Sequence, residues 1–224
     1  MSWGSLGRMV NRHIPGVSLH WPGETRAQIL ASPGPRLPER FRMAHLALGW
    51  RDIGYHYVIH RDFSNRWAVY DGRNDALPGA HSGTNAGNEF LGINVAYGID
   101  EKLPAEAVEV LAQLIAELSK VYGFPINRAT VRGHREFIPT QCPGDPLYSV
   151  LNQVVQRANQ LRTGKAAEPV KPEPSKAEEQ VRPVRIVKDG KELRGILVNS
   201  QAFVSVYELG QPSWDAQTRT VTIK

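Results

Sequence analysis

The sequence is poor in cysteine and has no long apolar run. Its 224 residues include a single cysteine, Cys142, so an intramolecular disulfide is excluded and the thiol is free, buried or metal-bound. No run approaches the roughly 20 apolar residues of a membrane-spanning helix. The first residues, MSWGSLGRMVNRHIPGV, lack the apolar core and cleavage site of a secretory signal. We therefore expect synthesis in the cytoplasm and no insertion into a membrane.

The basic residues outnumber the acidic ones but are scattered along the chain. The formal net charge is +5 and the isoelectric point is near 9.4, which favours approach to polyanions such as nucleic acids and anionic cell-wall polymers. Because the basic residues form no cluster, we predict no nucleic-acid partner. The hydrophobic content of 41% is sufficient for a sizeable core.

A segment rich in Pro, Ala, Lys and Glu divides the chain. Residues 163–182 have this composition and no aromatic residue, which is typical of an extended linker. We predict one domain over residues 1–162 and a small β-rich module over 183–224. In the module, strands are predicted at 184–188, 192–199 and 219–223, the first two joined by the hairpin signal Asp189-Gly190.

The first domain alternates predicted strands with predicted helices. The strands are expected at 16–21, 55–61, 67–70 and 91–97, and the helices at 38–49, 104–122 and 150–161. Apolar residues recur at helical spacing over 104–122, and Gly123 ends that helix. This alternation predicts an α/β fold with a central sheet.

The only cysteine lies eight residues after His134, in a loop stiffened by Pro139 and Pro143. Imidazole nitrogen and thiolate sulfur are ligands that Zn²⁺ favours, and a catalytic zinc takes three protein ligands. His20, at the end of a predicted strand that faces a cleft, is the strongest candidate for the third ligand. The chain has seven histidines, so the spacing alone leaves other choices open.

Five short runs add a more specific signal. They are VSLHW, GWRDIGYHYVIHRD, GAHSGTN, LGINVAYG and GHREFIPTQCPG, in this order between residues 17 and 144. Together they resemble the zinc-dependent N-acetylmuramoyl-L-alanine amidases, a family that includes phage lysozyme-type amidases and animal peptidoglycan recognition proteins. The resemblance covers residues from about 15 to 160.

The resemblance implies a mixed β-sheet flanked by helices, with a zinc ion in an open groove. It implies hydrolysis of the amide between N-acetylmuramic acid and L-alanine, with peptidoglycan as substrate and Zn²⁺ as cofactor. The zinc ligands fall on His20, His134 and Cys142. The family's catalytic tyrosine falls on Tyr55, whose hydroxyl would stabilise the carbonyl oxygen where negative charge develops.

The proton donor to the leaving amine is less well defined. Thr140, also assigned to the catalytic set, stands where related amidases carry a lysine, and Asn94 stands where another branch carries a glutamate. Candidates for the donor are His81 and a water on the metal. We predict that His81 and Asn85 line the substrate groove.

These features together predict a phage or prophage endolysin that reaches the wall after a holin releases it. The C-terminal module loosely resembles stalk-type repeats of Gram-positive surface proteins, so we expect it to bind the cell wall. Three alternatives stay open: a non-catalytic muropeptide-binding module, a wall peptidase with Cys142 as nucleophile and His134 as base, and an additional restraint on a phage RNA polymerase. The sequence does not indicate an oligomeric state.

Overall fold

The structure is a computed structural model. It describes residues 11–164 in full and the backbone of five strands between 182 and 223. The chain divides into two compact units, Met1–Ala167 and Glu168–Lys224. Most of the predicted linker, residues 165–181, lies outside the described ranges, and the domain boundaries predicted above stay predictions.

The first unit contains a five-stranded mixed sheet. Its strands are β1 (Val17–His20), β2 (Tyr57–Arg61), β3 (Trp67–Asp71), β4 (Leu91–Val95) and β5 (Val131–Gly133), in the order β3-β2-β4-β1-β5. The pairs β1–β4, β1–β5 and β2–β4 are parallel, whereas β2–β3 is antiparallel. The predicted α/β fold with a mixed central sheet is confirmed.

The described part of this unit also contains six α-helices, four between its strands and two after the last strand. They are α1 (Arg26–Leu30), α2 (Arg36–Ala47), α3 (Asn85–Asn88), α4 (Ala105–Tyr122), α5 (Asp145–Ser149) and α6 (Leu151–Thr163). A 3₁₀ turn, His134–Glu136, follows β5. Helix α4 ends as predicted at Gly123, whose φ of 77° is the left-handed conformation that glycine adopts without steric cost.

The two faces of the sheet are covered by different helices. Val17 and Leu19 of β1 point into a large apolar cluster formed with α4 and α6. A smaller cluster, which includes Ile29 of α1 and Phe41 of α2, covers the opposite face. Because side chains alternate along a strand, Ser18 and His20 lie on the face opposite to Val17 and Leu19. The candidate site forms on that second face.

One strand prediction is corrected at its start. The alternation predicted a strand from Tyr55, with Tyr55 and Tyr57 on one face, but β2 begins at Tyr57. Tyr57 belongs to the large cluster, whereas Tyr55 packs against the small one. The chain therefore turns between these two residues, and this turn places Tyr55 on the same face as His20.

The second unit contains a five-stranded sheet of order β8-β7-β6-β10-β9. Its strands are β6 (Arg182–Lys188), β7 (Lys191–Val198), β8 (Gln201–Phe203), β9 (Pro212–Asp215) and β10 (Thr220–Ile223). Strands β6 and β7 pair antiparallel, as the hairpin signal predicts, although Asp189-Gly190 itself lies outside the described residues. In the part of the chain that the structure describes, no helix is both long and apolar enough to cross a membrane.

Candidate metal centre

The sheet brings two histidines together at the ends of neighbouring strands. His20 is the last residue of β1, and His134 directly follows Gly133, which ends β5 and pairs with Leu19 in the parallel register. The two imidazole rings are 4.5 Å apart between centroids. The pairing of β1 with β5 therefore brings together, at the carboxyl ends of two neighbouring strands, two predicted ligands that are more than 100 residues apart in sequence.

The loop after the 3₁₀ turn returns Cys142 to these two histidines. The main-chain N–H of Arg135 donates to the Cys142 carbonyl at 3.0 Å, which closes the loop. One ligand atom each from His20, His134 and Cys142 then lie within 4.8 Å of one another. These are the three residues predicted as zinc ligands.

The spacing of His20 and Cys142 fits a tetrahedral zinc site. The Nδ1 atom of His20 is 3.6 Å from the Sγ atom of Cys142. Zinc–nitrogen and zinc–sulfur bonds at a tetrahedral angle place these two atoms about 3.6 Å apart. The Nε2 atom of His134 is buried and has no hydrogen-bond partner among the described residues. A metal ion would satisfy this nitrogen.

Burial favours the neutral form of each predicted ligand. It is the largest cause that lowers the pKa of His20 well below its usual value, and neighbouring histidines act in the same direction. Burial also lowers the pKa of His134, against a hydrogen bond with the Ser82 backbone. It raises the pKa of the Cys142 thiol to about 11. The imidazoles are thus ready to ligate, and binding of a cation at Cys142 displaces a proton.

Tyr55 lies against the same histidine. The two ring centroids of Tyr55 and His20 are 5.4 Å apart. Burial raises the pKa of Tyr55 to about 12, and the charge of Cys142 adds to this effect. The phenol therefore stays protonated at neutral pH and keeps its hydrogen-bond donor.

Asn94 lies beside this pair, on the strand next to β1. It is opposite His20 in the parallel register of β4 and is completely buried. Its amide nitrogen and oxygen have no hydrogen bond of ordinary geometry with the described residues, yet the amide is near enough to the Tyr55 hydroxyl to lower the tyrosine's pKa.

The other predicted site residues occupy three different environments. The Thr140 hydroxyl accepts a hydrogen bond from the Cys142 N–H at 3.2 Å. Asn85 is exposed at the start of α3. His81 is only 7% exposed, and its Nδ1 atom lies 3.0 Å from Nε2 of His20. The described contacts therefore place His81 behind a ligand, which differs from the expectation that it lines the groove.

An open cavity of about 340 Å³ adjoins the Cys142 loop. Its lining includes Trp21, Arg135 and Thr140. Sequence reasoning did not single out Arg135 or Ser18, although each is adjacent to a ligand or two residues from one. The only feature of the sequence that could have indicated them is their position, Arg135 next to His134 and Ser18 two residues before His20.

Two kinds of relatives match the sequence. The profile of the family described as N-acetylmuramoyl-L-alanine amidase matches residues 11–145. The endolysin of Escherichia phage T7 is 33% identical over 110 residues, 46% of this chain and 66% of the endolysin. Peptidoglycan recognition protein 1 of Bos taurus is 31% identical over 105 residues, 47% of this chain and 53% of that protein. The chain thus spans about half to two thirds of these relatives' length.

The fold also matches solved structures. The N-acetylmuramoyl-L-alanine amidase LysC from Clostridium intestinale aligns with a TM-score of 0.52 at 20% identity, over 66% of this chain and 86% of LysC. At this level of identity the likeness concerns the fold alone, a mixed sheet with flanking helices.

Proposed function

The chain belongs to the N-acetylmuramoyl-L-alanine amidase family, and from this premise we propose that it hydrolyses the amide between N-acetylmuramic acid and L-alanine in peptidoglycan. The observation that carries the proposal is the convergence of His20, His134 and Cys142 within 4.8 Å. A non-catalytic wall-binding module has no need for this ligand set.

We propose Zn²⁺ as the ion that these residues hold. When bound, it supplies a water of lowered pKa and polarises the scissile carbonyl. Imidazole nitrogen and thiolate sulfur are both ligands that zinc favours, and the His20–Cys142 spacing of 3.6 Å fits such a site. The protonated Tyr55 hydroxyl donates a hydrogen bond toward the carbonyl oxygen as its charge grows.

Thr140 contributes a neutral polar group at the edge of the cavity. Its hydroxyl already accepts from the Cys142 N–H, so it orders the loop and keeps its own proton available as a donor. A Thr140→Ser variant should retain activity, whereas Thr140→Val should lose part of it. Equal activity of both variants would remove Thr140 from the catalytic set.

The test of the main proposal uses the whole protein and purified peptidoglycan. New amino-terminal L-alanine and free muramyl lactyl groups are measured before and after metal removal by a chelator. We expect no new ends from the metal-free protein or from Cys142→Ser. One equivalent of Zn²⁺ should restore the release of new ends by the metal-free wild type. His13→Asn, at an exposed histidine outside the site, serves as the matched control and should remain active.

The same assay separates the competing functions. A wall peptidase would keep its activity in chelator, lose it on alkylation of Cys142 and release no muramyl ends. The raised pKa of the Cys142 thiol argues against this reading, because a catalytic cysteine needs a lowered one. A non-catalytic binding module would associate with the wall and release no new ends at all.

The biological setting extends the proposal to lysis by a phage or prophage endolysin. The substrate lies in the cell wall, so a protein made in the cytoplasm needs a holin-type release step to reach it. Expression in a susceptible host should cause lysis only together with a holin. Lysis at the same rate without a holin would refute this step.

A wall-binding role for the second unit is the remaining part of the proposal. It rests on the loose resemblance of residues 183–224 to stalk-type repeats of Gram-positive surface proteins. The whole chain should sediment with purified wall more completely than a chain that ends at residue 164. Equal sedimentation of the two would reject the role.

A further inference from the structure

A chain of hydrogen bonds runs from the main chain through His81 to His20. The Nε2 atom of His81 lies 3.1 Å from the carbonyl oxygen of Phe90, and its Nδ1 atom lies 3.0 Å from Nε2 of His20. The Nδ1 atom of His20 then faces Sγ of Cys142 at 3.6 Å. The Phe90 carbonyl, the His81 ring and the His20 ring are thus linked in series, and the series ends at Nδ1 of His20, the predicted ligand atom.

The Phe90 carbonyl determines the direction of this chain. A carbonyl oxygen can only accept, so the Nε2 atom of His81 carries the proton between them. In a neutral imidazole the other nitrogen is then an acceptor, and the proton between the two histidines belongs to Nε2 of His20. Both rings are buried, His20 at 1% and His81 at 7% exposure, which disfavours a charged ring. The Nδ1 atom of His20 is left without a proton.

Ser18 cannot decide the tautomer by itself. Its hydroxyl oxygen lies 3.0 Å from the same Nε2 atom of His20. A hydroxyl can donate or accept, so Ser18 is compatible with either tautomer of His20. The carbonyl behind His81 accepts in every case.

The surroundings of His81 form a slot that holds its ring. A Cβ atom at Gly79 or at Gly92 would lie 2.3 Å from Cδ2 of His81, so the ring occupies the space that two missing side chains leave. The Asn88 side chain accepts from the His81 N–H at 2.9 Å and anchors its backbone. The position of the ring is therefore fixed on several sides.

We propose that His81 is a positioning residue that holds His20 in the tautomer with the proton on Nε2, so that the Nδ1 lone pair points at the metal. This inference rests on the proposed function, since it gives His81 a role in the zinc site of that amidase. Removal of a group that orients a ligating histidine in this manner typically lowers metal affinity about 10- to 100-fold.

Two substitutions separate the two hydrogen bonds of His81. His81→Asn places an amide oxygen where Nδ1 was and can still accept from His20, but it cannot reach the Phe90 carbonyl. His81→Gln places its amide where Nε2 was, so it keeps the bond to Phe90 and removes the acceptor for His20. Zinc affinity of the full chain is measured by competition with a chelator of known affinity. We expect about 10- to 100-fold weaker binding for His81→Gln and about wild-type binding for His81→Asn.

A merely structural role of His81 would give another pattern. His81→Asn and His81→Gln would then both lose zinc affinity, and the variant with the lower Tm in the metal-free form would lose more of it. Equal affinities of His81→Gln and wild type would overturn the proposal. So would a loss in Ser18→Ala that His81→Gln does not show, because Ser18 would then be the group that holds His20.

Nitrogen-15 NMR of the histidine rings reads the tautomer without metal. In the metal-free wild type, His20 should carry its proton on Nε2, and His81→Gln should show a mixture of tautomers. A wild-type His20 protonated on Nδ1 would refute the inference, whatever the zinc measurements give. If the wild type shows the expected tautomer but binds no zinc, the proposed function fails while the hydrogen-bond chain stands.

Discussion

The carbonyl oxygen of Cys142 accepts two hydrogen bonds from Arg135, one from its main-chain N–H at 3.0 Å and one from its Nε at 3.4 Å. The remaining guanidinium nitrogens bond the Gln141 carbonyl and the Asp145 carboxylate. The residue that directly follows one predicted ligand thereby fixes the loop that carries another. The donors of a planar guanidinium form a rigid fork that can bind several oxygens at fixed positions, whereas a lysine ammonium has no such fixed fork.

Removal of this contact should loosen the Cys142 loop. We expect Arg135→Ala and Arg135→Lys to weaken zinc binding about 10-fold or more and to lower the free energy of unfolding by about 1 to 3 kcal/mol. Chelator competition and urea denaturation measure the two effects. Arg66→Ala, whose side chain is 78% exposed, is the matched control and should change neither. Zinc affinity of Arg135→Lys at the wild-type level would contradict the proposed fork.

The cluster of three predicted ligands could be selected from the sequence, but the residues that surround and orient them could not. His20, His134 and Cys142 lie in short runs with a definite order, so the runs were sufficient to select them. His81 is 61 residues from His20, and the two meet only because the chain packs His81 beneath β1 and β4. A polar residue in a loop gives no local signal of such burial.

Tyr55 should contribute through its hydroxyl alone. Tyr55→Phe keeps the ring against His20 and removes the donor, so kcat should fall about 10²- to 10³-fold while zinc affinity stays unchanged. Kinetics on a soluble muropeptide measure this effect. Tyr70→Phe, on the edge strand β3, is the control with the same chemical change. An active Tyr55→Phe enzyme would show that another group stabilises the developing charge.

Asn94 should act through Tyr55. Asn94→Leu removes the amide and keeps the same branched skeleton of heavy atoms, and we expect a lower kcat because the phenol loses a polar neighbour in a buried site. If Asn94 acts through Tyr55, Asn94→Leu should lower kcat little further when Tyr55 is already Phe, as a double-mutant cycle shows for coupled residues. Additive losses would indicate that Asn94 acts independently of the tyrosine.

The sequence predicted the regular elements better than the irregular ones. The predicted helix over 104–122 agrees closely with α4 because its apolar spacing is long and ends in glycine. The start of β2 was misplaced because the two-residue spacing of Tyr55 and Tyr57 fits a strand equally well whether Tyr55 belongs to that strand or to a turn before it. The short helices α1, α3 and α5, with five residues or fewer, carry too few apolar positions to show a period.

His56 should make the metal-free protein less stable in acid. Its Nδ1 accepts from the Gly92 N–H at 2.9 Å and its Nε2 faces the Leu77 carbonyl at 3.0 Å, and burial lowers its pKa to about 3. The unfolded chain binds this proton near pH 6.5, so the contribution of neutral His56 is complete above pH 6.5 and is lost as the pH falls towards 3. In urea denaturation between pH 7.5 and 4.5, His56→Asn, which keeps an acceptor for Gly92, should show a slope smaller by about one proton. The exposed His13→Asn is measured beside it as the control, and an unchanged slope in His56→Asn would mean that His56 is charged in the folded protein.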